Sequence, residues 1–155
     1  MTAAASGRGP EEVEGVGGLI GSGAEAAYRI DDVDAMAPFL MTIVSESDLW
    51  MFVSSTGALT AGRGDADHAL FPYETDDRIH RAVGHSGPVT LIARTVADER
   101  ELWQPFAPVS TPGCRRSVVK GVLGNHIVFE ERQPAWGLTY RATWAPSDAY
   151  GWVCL

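Results

Sequence analysis

The chain has 155 residues, with 12 Lys and Arg against 20 Asp and Glu, a net charge of −8, and 45% hydrophobic residues. This is the composition of an ordinary globular domain, long enough to bury a hydrophobic core without disulfides or a structural metal. The acidic balance disfavours DNA and RNA as partners, because binding to their phosphates depends on clustered basic residues.

The N-terminal segment differs from the rest in charge and glycine content. Residues 1–34 hold seven acidic residues against two arginines, and five glycines stand between positions 15 and 23. A high density of glycines opposes regular structure, because each glycine loses a large backbone conformational entropy when it is ordered. We therefore predict a disordered acidic leader over 1–26 and a globular domain over 27–155. The glycines do not indicate a phosphate-binding loop, since no strand precedes them and no helix follows.

From residue 27 onward the apolar residues come in short runs of strand length, separated by turn-forming residues. The last of these runs alternates, with Tyr140 and Trp144 on one face and Arg141 on the other, which is typical of a half-buried strand. An antiparallel β-sandwich is predicted. Residues 149–155 resemble a strand still in progress, which leaves open whether the chain is complete or a fragment. The predicted runs are 39–44, 49–53, 89–96, 118–122, 127–129 and 138–144.

Turn signals add detail to this all-β prediction. Gly124 and Asn125 between two apolar runs predict a β-hairpin. Single helical turns are predicted over 34–37 and 65–69, because each opens on an aspartate that can cap it. No longer window keeps a helical apolar period, which disfavours an α/β fold.

The two cysteines, Cys114 and Cys154, lack the spacing of a zinc site, and unpatterned thiols are typical of a reducing compartment. The start of the chain does not resemble a signal peptide, and no apolar run reaches the roughly 18 residues of a spanning helix. We expect a cytoplasmic protein with neither a cofactor nor a membrane partner.

A polar cluster between residues 65 and 85 is the densest candidate site. His68, His80 and the Asp76–Asp77 pair could bind a metal or serve a small hydrolase, although no pair has the spacing of a metal-binding helix. Solvated loop residues are the simpler interpretation, and we expect no metal. Ser86 follows a histidine, but neighbours on an extended chain point to opposite sides, so no catalytic nucleophile is predicted.

The aromatic residues lie mostly in or beside predicted strands, where they usually fill the space between two sheets. Trp103 and Trp136 flank prolines, as loop residues would, and could stack on a sugar. Together with Arg63, Asp76 and Asp77 they form the predicted saccharide-binding residues, which would also serve a standalone saccharide-binding module.

A family resemblance points the same way. Residues 36–63 read MAPFLMTIVSESDLWMFVSSTGALTAGR, and residues 69–79 read ALFPYETDDRI. These stretches resemble the opening of large bacterial carbohydrate-active proteins related to cellobiose phosphorylase. The likeness covers residues 28–80 and rests on the order and kind of residues.

The resemblance implies a galactose-mutarotase-like β-sandwich that packs against a helical catalytic barrel. In that family the catalytic and phosphate-binding residues belong to the barrel, so no catalytic residue is carried over to this chain. The sandwich would support the catalytic domain of a glycoside phosphorylase or hydrolase, contribute loops at the sugar site and help to form a homodimer. By itself we expect it to be noncatalytic.

Overall fold

The computed structural model describes residues 17–147, 149 and 151–155. Strands account for 46% of the residues and helical turns for 12%, and every strand pair is antiparallel, which confirms the all-β prediction. The strands are β1 (Gly17–Ile20), β2 (Ala27–Asp31), β3 (Leu40–Ile43), β4 (Leu49–Ser54), β5 (Leu59–Arg63), β6 (Ile92–Val96), β7 (Glu99–Trp103), β8 (Arg115–Gly121), β9 (Ile127–Gln133), β10 (Leu138–Ser147) and β11 (Gly151–Cys154).

The strands form two packed sheets and a hairpin. The large sheet has the order β1-β2-β8-β9-β10-β11, the small sheet is β3-β4-β5, and β6 pairs with β7. The core between the two sheets combines residues of both, and the ring of Phe106 meets Phe129 edge-on within it. Alternation on β10 is as predicted, since Ala142 and Trp144 are buried whereas Arg141 is exposed. The architecture is therefore that of a β-sandwich.

The predicted leader is only partly described. Residues 1–16 lie outside the described residues, but from Gly17 the chain forms β1, which pairs with β2 from Gly17 opposite Ile30 to Ile20 opposite Ala27. Hydrogen bonds to β2 stabilise this glycine-rich segment, although its side chains are exposed. Regular structure thus begins before the predicted boundary at residue 27.

Several predicted runs are strands with shifted ends. The run 89–96 begins as a strand only at Ile92, and the run 127–129 continues to Gln133 as β9. The hairpin at Gly124 is present, with Gly124 at a φ of 74° and the Gly121 amide donating to the His126 carbonyl at 3.1 Å. β1, β2, β5 and β7 have no counterpart among the predicted runs.

The helical segments are single turns. α1 (Asp76–Ile79) forms inside the predicted polar loop, and 3-10 turns occupy Gly23–Glu25, Val33–Ala35, Ala66–His68 and Pro134–Trp136. Asp65 caps its turn as predicted, its side chain accepting from the Asp67 amide at 3.1 Å. Within the described residues, no helix has the length and apolar character needed to cross a membrane.

Candidate saccharide-binding groove

The prediction that Trp103 binds saccharide is wrong. Its ring is only 2% exposed, because β7 turns it inward and its indole Nε1 donates to Glu131 Oε1 at 3.1 Å. A ring this deeply buried has no free face on which a sugar could stack. Trp103 therefore belongs to the packing between the hairpin and the large sheet.

Trp136 lies in the turn Pro134–Trp136 and is half-buried. The Arg94 guanidinium carbon stands 4.4 Å from its ring centroid, and Trp103 meets it edge-on with ring centroids 6.0 Å apart. Arg94 is held in turn by Glu101, Nε to Oε2, at 2.7 Å. A sugar that used the face of Trp136 under Arg94 would have to displace this arginine.

The two aspartates of α1 face different depressions. Asp76 lines one of about 170 Å³ beside Phe52 and Tyr73. Asp77 lines another of about 600 Å³ together with Arg78 and other polar residues. The Thr75 hydroxyl, which donates to the Asp77 carboxylate, is the main cause that lowers the pKa of Asp77. The predicted saccharide residues are thus not brought to one place.

Arg63 lies in a third depression, at the end of the small sheet. It ends β5, is exposed, and has its Nε 3.7 Å from the Asp48 carboxylate. This depression is open to solvent, has a volume of about 540 Å³ and is also lined by His68, Leu70 and Trp152. We call this depression the Trp152 groove. Its volume falls within the roughly 300–1,000 Å³ of typical small-molecule sites.

Local backbone contacts fix the walls of the Trp152 groove. Gly62 forms a β-bridge with Ala69, which brings the capped turn Ala66–His68 against the end of β5. A Cβ on Gly62 would lie 2.7 Å from the His68 carbonyl oxygen, so only glycine permits this approach. Trp152 Nε1 donates to the Gly62 carbonyl at 3.4 Å, which orients the ring of β11 toward β5.

Polar groups of the groove are held in place as well. His68 Nδ1 lies 2.7 Å from the Asp65 carboxylate, and this contact is the main cause that lowers the pKa of Asp65. Because Nδ1 is engaged by Asp65, Nε2 remains to bind a ligand hydroxyl. An aromatic ring beside an arginine and an oriented imidazole can hold the apolar face and the hydroxyls of a sugar at once.

The histidines offer no assembled hydrolase centre. His80 Nδ1 lies 2.8 Å from Ser54 Oγ, but Ser54 is fully buried, so a substrate carbonyl cannot reach its hydroxyl. Ser86 is also buried and donates to the Leu59 and Pro72 carbonyls. Across the described ranges, no three His, Cys, Asp or Glu side chains are grouped so that they could hold a metal ion.

The sequence prediction missed a buried charge pair on the core face of the large sheet. Glu131 is fully buried and accepts from Arg116 Nε at 2.8 Å and from the Phe106 amide at 2.6 Å. Strand alternation contained the signal, because Arg116 is in phase with buried Val118 and Glu131 with buried Phe129. The pair connects the segment after β7 to the sheet.

Cys114 lies beside this pair. Burial, followed by the Glu131 carboxylate, raises the pKa of its thiol to about 11. A thiol with so high a pKa is a poor nucleophile at neutral pH. Cys114 is therefore better suited to packing than to covalent chemistry.

Comparisons with known proteins do not add a family to this geometry. No protein-family model matches the chain, and no curated protein matches it.

Proposed function

We propose that this chain is a noncatalytic β-sandwich of a carbohydrate-active protein and binds saccharide in the Trp152 groove. The observation that carries the proposal is the convergence of Trp152, Arg63 and His68 on one open depression of about 540 Å³. The indole can contact the C–H face of a sugar ring, while the guanidinium and the imidazole can bind its hydroxyls.

The family resemblance of the sequence implies the same ligand class. Arg63 and His68 both fall within residues 28–80, which resemble proteins related to cellobiose phosphorylase. In such proteins the sandwich supports a helical catalytic domain and contributes to the sugar site. The proposal accordingly assigns bond cleavage to that domain, of a glycoside phosphorylase or hydrolase, and includes a sandwich-mediated homodimer.

We further propose that the protein works in the cytoplasm. Cys114 and Cys154 are both free thiols. Free cysteines are typical of proteins that work in a reducing compartment. This part of the proposal is independent of the groove.

Calorimetric titration of the chain with a panel of gluco-oligosaccharides tests the proposal. Arg63→Ala and His68→Ala should each weaken binding by about tenfold, because each removes hydrogen bonds to the ligand. Arg141→Ala is the matched control, since Arg141 is exposed on the outer face of the large sheet. Saccharide binding that is undetectable, or that Arg63→Ala and Arg141→Ala weaken equally, would contradict the proposal.

A further inference from the structure

A second, smaller pocket lies on the outer face of the small sheet. It encloses about 170 Å³ between β3, β4 and the start of α1. Its aromatic walls are Phe52 and Tyr73, and its acidic walls are Glu74 and Asp76. This volume is well below the roughly 300 Å³ at which drug-sized sites begin, so the pocket suits a compact head group.

The aromatic walls are held by a third ring. Trp50 lies two residues before Phe52 on the same face of β4, with ring centroids 5.8 Å apart. Trp50 also meets Tyr73 at 5.9 Å with an interplanar angle of 76°. Tyr73 is half exposed, at 51%, yet this edge contact orients its ring beside the pocket.

The acidic walls are not ion-paired, although Glu74 also lines the neighbouring depression that contains Arg78 and Arg81. Within the part of the chain that the structure describes, neither Glu74 nor Asp76 takes part in an ion pair, and no basic side chain lines the pocket. Asp76 Oδ1 accepts from the Asp77 amide at 2.9 Å. Two carboxylates beside two aromatic rings produce a negative potential that a cation would complement.

From this combination we propose that the pocket binds a small organic cation with an alkylated ammonium group. Aromatic faces attract such a group through the ring quadrupole, and its methyl groups lose little hydration on entering an apolar wall. The carboxylates supply the countercharge. A primary ammonium suits the site less well, because it would give up more hydration for the same contacts. The pocket is separate from the Trp152 groove, so this inference stands apart from saccharide binding.

NMR titration of the whole chain with choline at low ionic strength tests the inference. The control ligand is dimethylbutanol, the neutral carbon isostere of choline. We expect choline to shift the signals of Tyr73 and Asp76, with much weaker shifts for the isostere. We also expect choline binding to weaken as salt is added, since salt screens the carboxylates. Equal binding of choline and its isostere, or no binding of choline, would overturn the inference.

Substitutions of the lining residues test whether choline binds in this pocket. Tyr73→Leu should weaken choline binding by about threefold, as expected for loss of one partly exposed aromatic face. Its matched control is Tyr28→Leu, because Tyr28 on β2 is also 51% exposed. Asp76→Asn should weaken binding more than Asp77→Asn, whose carboxylate lines the neighbouring depression. Equal effects of Tyr73→Leu and Tyr28→Leu would overturn the assignment.

Discussion

At the scale of single residues, the buried pair of Glu131 and Arg116 has the largest structural consequence. Glu131 accepts from the Arg116 guanidinium, the Trp103 indole and the Phe106 amide. Arg116 also donates to the Ala107 carbonyl at 2.9 Å. Both charges are thus satisfied, which is the condition under which a buried ion pair is tolerated.

Glu131→Ala should lower the free energy of unfolding by about 3 kcal/mol, because Arg116 loses its buried partner and keeps only the half-exposed Asp34 carboxylate, 3.4 Å from Nη1. Urea unfolding measures the loss. Glu130→Ala is the neighbouring control, since Glu130 pairs with Arg29 on the partly exposed outer face and should cost about 1 kcal/mol or less. Equal losses for the two variants would contradict the assigned role of the buried pair.

At the scale of elements, the β6–β7 hairpin turns through an unfavourable backbone conformation. Ala97 and Asp98 connect the strands with φ of 49° and 68°. Positive φ at both central residues is the geometry of a two-residue hairpin turn, for which glycine and asparagine are favoured. Alanine in this conformation is strained by its Cβ.

Ala97→Gly should therefore stabilise the protein by about 0.5–1 kcal/mol, since glycine adopts positive φ without a steric cost. Thermal unfolding provides the measurement. The control Ala93→Gly, in the middle of β6, should destabilise instead, because there glycine only adds entropy to the unfolded chain. A lower melting temperature for Ala97→Gly would argue against the assigned turn.

The close approach at Gly62 gives a second prediction for an element. Gly62→Ala would place a Cβ 2.7 Å from the His68 carbonyl oxygen and 2.9 Å from Ala69 Cα, both of which are backbone atoms. We expect a loss of about 1–3 kcal/mol and weaker saccharide binding. Gly18→Ala is the control, because no atom lies within 4 Å of its added Cβ. An unfolding curve unchanged by Gly62→Ala would refute the close contact.

Sequence patterns predicted strands where one face is buried. Leu49–Ser54 and Leu138–Ser147 alternate or are rich in bulky residues, and both were predicted. Leu59–Arg63 was missed because its first four residues are all buried and mostly small, so no alternation shows. Glu99–Trp103 was missed because its charged residues resemble a loop and its turn lacks glycine.

At the scale of the whole molecule, the sandwich brings together residues that are distant in sequence. The Trp152 groove combines Arg63 and His68 with a ring about ninety positions later. The sequence identified Arg63 as a candidate but paired it with Trp103 and Trp136, because both rings flank prolines. Neither indole lines this groove. Trp103 donates to the buried Glu131 carboxylate, and Trp136 packs under Arg94. Such outcomes depend on sheet pairing that local patterns do not encode.

The direct test of the central claim is to follow the five tryptophan indole N–H signals by NMR during titration with a gluco-oligosaccharide. Saccharide binding in the Trp152 groove should shift the Trp152 signal, while that of Trp103, bonded to buried Glu131, stays fixed. If the sugar leaves Trp152 unperturbed, or perturbs Trp136 instead, the groove is not the saccharide site.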